Sequence, residues 1–111
     1  MTALLVALGA AVGAPLRFVI GQALDGRFPA GMLLVNVAGS GFFGAFVAMA
    51  LGDGGWALLG TGFCGAFTSF SSFAVQAVER PARTATTYVV ATVVLSVGAC
   101  ALGWALVNAV G

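Results

Sequence analysis

Lysine and histidine are absent from the 111 residues, and only seven side chains are charged: Arg17, Asp25, Arg27, Asp53, Glu79, Arg80 and Arg83. Charged residues make up 6% of the chain, against about 25% in a typical soluble domain. A soluble protein of this size covers its surface with charge and polarity, and this chain cannot, so a soluble enzyme domain is excluded. A net charge of +1 with no basic patch excludes a nucleic-acid partner. Without histidine and without a Cys-x-x-Cys pair there is no zinc or haem site to propose. No nucleophile–base pair exists, so the chain reads as a non-enzyme with no organic cofactor. Asp25, Asp53 and Glu79 all fall at turns, and a proton-coupled transporter generally needs a carboxylate inside a span.

What is present is apolar sequence, 61% of the chain. Residues 28–52, 54–78 and 84–111 carry no charge, and 1–24 is interrupted only by Arg17. Each run exceeds the roughly 20 residues needed to cross a hydrocarbon core. The expectation is an all-α integral membrane protein, a single domain over 1–111, with four spans at about 2–24, 30–52, 56–78 and 84–109. The runs lack period-two alternation, which argues against a barrel. Thr2 to Ala14 looks like the apolar part of a signal peptide. No basic residue precedes it and three further spans follow, so it is expected to remain as the first span. Cys64 and Cys100 lie on different spans and read as packing residues. Gly9 with Gly13, and Ser40 with Gly44, are small-xxx-small steps that let helices approach closely in lipid. Gly60-Thr61-Gly62-Phe63-Cys64-Gly65 matches a dinucleotide-binding glycine pattern, but within an uncharged run and without a preceding strand it carries no nucleotide site.

Polar groups inside spans are costly and tend to mark function. Arg17 is the only charge within a span; it either snorkels to the interface or has a buried structural or ion-attracting role. Asn36 and Ser40 share one helical face and can hold a neighbouring helix or meet an anion. The run from Gly65 to Phe73 packs Thr68, Ser69, Ser71 and Ser72 among three phenylalanines. Hydroxyls that compete for backbone bonds after a loosening glycine predict a break in the third helix near 65–69. Such a break frees carbonyls for a cation and N–H groups for an anion. Tyr88, Thr92 and Ser96, spaced by four, line one stripe of the last helix; a stripe without charge suits a small ion, water or interhelical hydrogen bonds.

These elements resemble those of the Fluc/CrcB fluoride channels. Gly13-Ala14-Pro15-Leu16-Arg17-Phe18 is similar to their GAxxRY element, and the stretch from Gly31 to Ser40 to GTLxVNxxGS. The stretch from Gly62 to Phe73 is similar to GxxGGxTTFSTF. The resemblance spans the whole chain and implies four-helix subunits that pair antiparallel, with two fluoride pathways per dimer. It assigns Phe70 and Phe73 to the pore, Asn36 to its entrance and Tyr88, Thr92 and Ser96 to a polar track. It also matches Arg17 to the family's first-helix arginine. It implies a structural sodium ion at the dimer centre, held by the carbonyls of Gly65 and Thr68.

The physics agrees with that assignment. Fluoride holds its water tightly, so donors must replace the water. The hydroxyls of Ser40, Ser69 and Ser72, the Asn36 amide and the positive edges of aromatic rings supply them as many weak sites in series. Phe18, Met32, Gly41, Ala66, Ser69 and Ser72 depart from the family pattern. The serines keep the hydroxyl, Gly41 removes a ring and Ala66 stiffens the break. The implied activity is passive export of cytoplasmic fluoride across a prokaryotic plasma membrane. The alternatives are a small multidrug-resistance-type exporter, which lacks its first-span glutamate here, and a non-transporting assembly subunit.

Charge distribution adds a further expectation. The first and third loops share one side and hold Arg27, Arg80 and Arg83, while the opposite side holds no Lys or Arg. The positive-inside rule then places both termini outside. The partner is an oppositely oriented paralogue if this bias guides insertion, or a second copy if Arg80 and Arg83 are locked into the fold and do not guide it.

Overall fold

The computed structural model describes residues 2–26 and 28–110; Arg27, counted in the charge bias, lies outside the described residues. Four helical spans are long and apolar enough to cross a membrane. In lipid every backbone N–H and C=O must be satisfied within the protein, and helices do so segment by segment. Helix α1 runs Thr2–Leu24 and α2 runs Ala30–Ala48. The third span, Asp53–Glu79, divides into α3 over 53–67 and α4 at Phe70–Glu79. The last helix, α5, is Ala82–Val110, whose 29 residues reach about 43 Å.

The second span ends earlier than expected, at Ala48 rather than 52. Ala50 takes a left-handed conformation, with φ of 52°, and turns the chain before its apolar run is over. The third span starts correspondingly early, at Asp53 rather than 56. Within α3, Trp56–Cys64 winds with wider i→i+5 turns.

Glycines set the packing. A Cβ on Gly9 would run into the Leu58 carbonyl and sit 2.7 Å from the Phe63 nitrogen. A Cβ on Gly44 would run into the Cys100 carbonyl. So α1 lies backbone to backbone on α3, and α2 on α5. Between them sits a small core of Met32, Val35 and Phe67, flanked by Ile20, Ala38 and Phe63. The outward surface is the apolar one. Leu4, Leu8, Val12 and Val19 on α1, and Val90, Val94, Val97 and Leu102 on α5, are all more than half exposed. That inversion of a soluble protein is the surface a bilayer requires.

At the turn between α1 and α2, the Asp25 carboxylate accepts from the Met32 N–H at 3.1 Å and satisfies one orphan donor of the helix start. The GxGxxG look-alike falls inside the helical α3, where no phosphate loop forms.

Candidate functional site

The break in the third span falls at Thr68 and Ser69, whose backbones are extended (φ −86°, ψ 161° and φ −153°, ψ 113°). The local chemistry explains it. The Thr68 hydroxyl donates to the Cys64 carbonyl at 2.8 Å, competing with the helix ladder. The Ser69 hydroxyl accepts from the Ser72 N–H at 3.1 Å and caps α4. In a continuous helix the Ser69 N–H would bond the Gly65 carbonyl. Here it donates to Asn36 Oδ1 at 3.0 Å, while Asn36 Nδ2 donates to the Ser69 carbonyl at 3.4 Å. One buried amide therefore holds both polar groups of the interrupted backbone. Arg17, half-buried on α1, reaches the same place from the other side: its Nη1 donates to the Thr68 carbonyl at 3.4 Å.

Beside the break lies a groove of about 600 Å³, bordered by α2, α3, α4 and α5. Asn36, Ser40, Gly65, Thr68, Ser69, Phe70, Phe73, Thr92 and Ser96 all line it. Most of the residues singled out in the sequence thus meet on one surface, although they come from four helices. Tyr88 stands at the end of that surface rather than in its wall. It is fully buried, edge-on to Phe28 with ring centroids 5.9 Å apart, and 5.3 Å from the ring of Phe73. Ser72 is outside the lining and contributes through its N–H to the cap. Arg17 is outside the lining too and acts on the break from behind.

The hydroxyls of Tyr88, Thr92 and Ser96 are buried without any hydrogen-bond partner. An unpaired buried hydroxyl is costly, and three along one helix stripe form a row of vacant donors and acceptors. Phe70 and Phe73, 5.9 Å apart with rings inclined at 46°, border the same groove. Phe70 is 80% exposed on the outer face of the subunit. No cluster of three or more metal-ligating side chains occurs among the described residues, so any cation at the break would rely on backbone oxygens.

Two departures from the family motifs have structural readings. A Cβ on Gly103 would run into the Gly41 carbonyl, so the glycine at 103 lets α5 approach α2 at this point, whereas a Cβ on Gly41 itself would meet Ala99 at 3.6 Å. Ala66 sits two residues before the break and does not prevent it. Sequence reasoning missed Asp25, Gln76 and Arg80. Gln76 Nε2 donates to Asp25 Oδ2 at 3.2 Å, and Arg80 Nη2 donates to Gln76 Oε1 at 2.6 Å. As turn charges Asp25 and Arg80 carried no signal beyond marking the span ends, and Gln76 is a lone neutral amide within the third span.

Comparison with known proteins gives a consistent picture. Residues 4–104 match the family model described as CrcB-like protein, Camphor Resistance (CrcB). Fluoride-specific ion channel FluC 2 of Rhodococcus jostii (strain RHA1) is 44% identical over 114 residues, covering 97% of this chain and 100% of the relative. Fluoride-specific ion channel FluC 1 of the same organism is 44% identical over 100 residues, 88% of this chain and 78% of the relative. Fluoride-specific ion channel FluC of Rhodospirillum rubrum is 37% identical over 114 residues, 93% of this chain and 88% of the relative.

Proposed function

This chain belongs to the CrcB family, and we propose that it is a passive, fluoride-selective channel that lets cytoplasmic fluoride leave the cell down its electrochemical gradient. The observation that carries this reading is the row of unpartnered buried hydroxyls, Tyr88, Thr92 and Ser96, beside the paired rings of Phe70 and Phe73. A small, strongly hydrated anion gives up water only where donors replace it. Three hydroxyls offer protons, ring edges offer positive quadrupole, and no charged side chain lines the groove to trap the ion. Ser40 and the Asn36 amide add polar groups at the groove. Outward flow follows from chemistry: neutral hydrogen fluoride crosses a bilayer and dissociates inside, where the anion is retained.

The location is the plasma membrane of a prokaryote, with two subunits crossing in opposite directions and one fluoride pathway on each side of the pair. The exposed ring of Phe70 at the edge of the polar groove supports this, because a second subunit packed there would close the groove off from lipid. Sodium at the centre of the pair is part of the same proposal. The Gly65 carbonyl has lost its ladder partner to Asn36, and the Thr68 carbonyl accepts only from Arg17 in an extended segment. Oxygen donors of this kind suit an alkali cation, and both residues in two subunits would hold it. The ion would supply a fixed positive charge that ties the two breaks together.

The partner is a second copy or an oppositely inserted paralogue. The charge bias favours the paralogue, and Rhodococcus jostii carries two numbered relatives. No observation favours a multidrug-type exporter or a non-transporting subunit. The function is tested by expressing the chain in a bacterium stripped of its own fluoride export. Growth in fluoride medium should return; if it stays inhibited both with the chain alone and with a paralogue co-expressed, the proposal is contradicted.

A further inference from the structure

Helix α4 carries both phenylalanines that border the groove, yet packing anchors it weakly. None of its residues is buried, and Phe70, Val75 and Val78 are at least half exposed. Among the helices it packs only against α5 and α2. The chain is extended at both of its ends. At one end stand Thr68 and Ser69. At the other stands Arg80, with φ −94° and ψ 155°, a conformation that the following Pro81 favours. A ten-residue rod between two extended joints has no continuous helical ladder to set its angle.

Polar contacts set that angle. Asn36 holds Ser69 at the break. Towards the other end, Gln76 Nε2 donates to Asp25 Oδ2 at 3.2 Å, and Gln76 Oε1 accepts from Arg80 Nη2 at 2.6 Å. Asp25 is itself fixed. Its Oδ1 accepts from the Met32 N–H at 3.1 Å, and its own N–H donates to the Gly21 carbonyl at 2.9 Å. A Cβ on Gly31 would sit 3.0 Å from Oδ1, so glycine there lets the carboxylate lie against the start of α2. The carboxylate thus belongs to the turn between α1 and α2, and the Gln76 amide ties α4 to it. Phe73 lies one turn before Gln76, its ring 5.3 Å from Tyr88 and 5.9 Å from Phe70.

We infer that the Asp25–Gln76 hydrogen bond is a latch that fixes the angle of α4 and so places the rings of Phe70 and Phe73 along the groove. Asp25 and Gln76 are positioning residues for conduction. The inference rests on the channel reading above. A carboxylate acceptor makes this bond stronger than one between neutral groups, and the half-buried setting limits competition from water. With the latch open, α4 turns about Thr68 and Ser69, the Phe73 ring leaves Tyr88, and the groove loses its aromatic border.

The test uses the full chain. Gln76→Met keeps the length of the side chain, removes both of its hydrogen-bonding groups and leaves the Asp25 turn untouched. Tyr88 is the only tyrosine, so tyrosine labelled in its ring reports the Phe73 ring beside it. In detergent micelles, Gln76→Met should move the Tyr88 resonance toward its position in Phe73→Ile. In liposomes it should lower fluoride efflux about tenfold, the change expected for one hydrogen bond to a charged group. Asp25→Ala releases the latch from the other side. It should act in the same direction, and it carries the test if the methionine variant does not fold. The double variant should lose no more than either single one, because both remove one bond. A Tyr88 resonance that stays in place, a shifted resonance with undiminished flux, or losses that add in the double variant would overturn the latch. Normal efflux from the unaltered chain with unmoved variant spectra sinks the latch alone. Shifted spectra with no efflux from the unaltered chain, alone or with a paralogue, uphold the latch on α4 and sink the channel reading.

Discussion

Asn36 shows how a single side chain in a membrane span can serve two readings at once. In sequence it was open between holding a helix and meeting an anion. In the fold its amide is committed to both backbone groups of Ser69, while Ser40, its partner one turn on, lines the groove. Asn36→Leu removes both bonds and leaves a broken backbone unsatisfied in apolar surroundings. It should cost about 2 kcal/mol of stability, read as a lower unfolding temperature in detergent, and should reduce fluoride flux with it. The two phenylalanines behave differently. Neither the Phe70 nor the Phe73 side chain makes a hydrogen bond, so replacing them removes ring edges and ring packing while the backbone bonds stay. Phe70→Ile and Phe73→Ile should each cut fluoride efflux by at least about tenfold while the purified protein keeps its size-exclusion profile. Normal conduction in both would show the pore lies elsewhere.

At the scale of elements, the break was legible and the shape of the helices around it was not. Hydroxyls after a glycine announce that a helix will yield, and the third span yields at Thr68 and Ser69. The early end of α2 was hidden because an uncharged run reports what lipid tolerates, not where the backbone turns. A left-handed alanine has no hydropathy signature. The wide-turned segment Trp56–Cys64, against which Gly9 and Gly13 of α1 pack, was equally silent. The small-xxx-small steps, by contrast, marked that approach in advance. Gly44→Ala places a methyl against the Cys100 carbonyl of α5, and neither backbone can move away independently. It should destabilise the subunit by about 1–3 kcal/mol, measured by thermal unfolding in detergent.

At the scale of the whole molecule, polar groups turn inward and apolar groups outward, and the few charges other than Arg17 gather at or beside turns. That arrangement explains why fold and family were readable from so plain a sequence. In lipid, each polar residue must have a reason, and most of those reasons meet at one groove. The Asp25–Gln76–Arg80 relay was not readable, because it joins residues that are distant in sequence through a pairing only the fold creates. The charge bias is a property of this scale as well. Terminal reporters on the chain expressed alone should find both termini outside, because Arg80 and Arg83 mark the third-loop side and no Lys or Arg balances them opposite. Both orientations in similar amounts would contradict the bias and favour a homodimer.

The central claim is that the groove conducts fluoride and discriminates against chloride. The direct measurement is efflux of both ions from liposomes holding this chain, followed together with a fluoride and a chloride electrode, and repeated with an oppositely oriented paralogue co-reconstituted. Rapid loss of fluoride with chloride retained, in either preparation, is the predicted result. Equal loss of both ions, or retention of fluoride in both preparations, would contradict it.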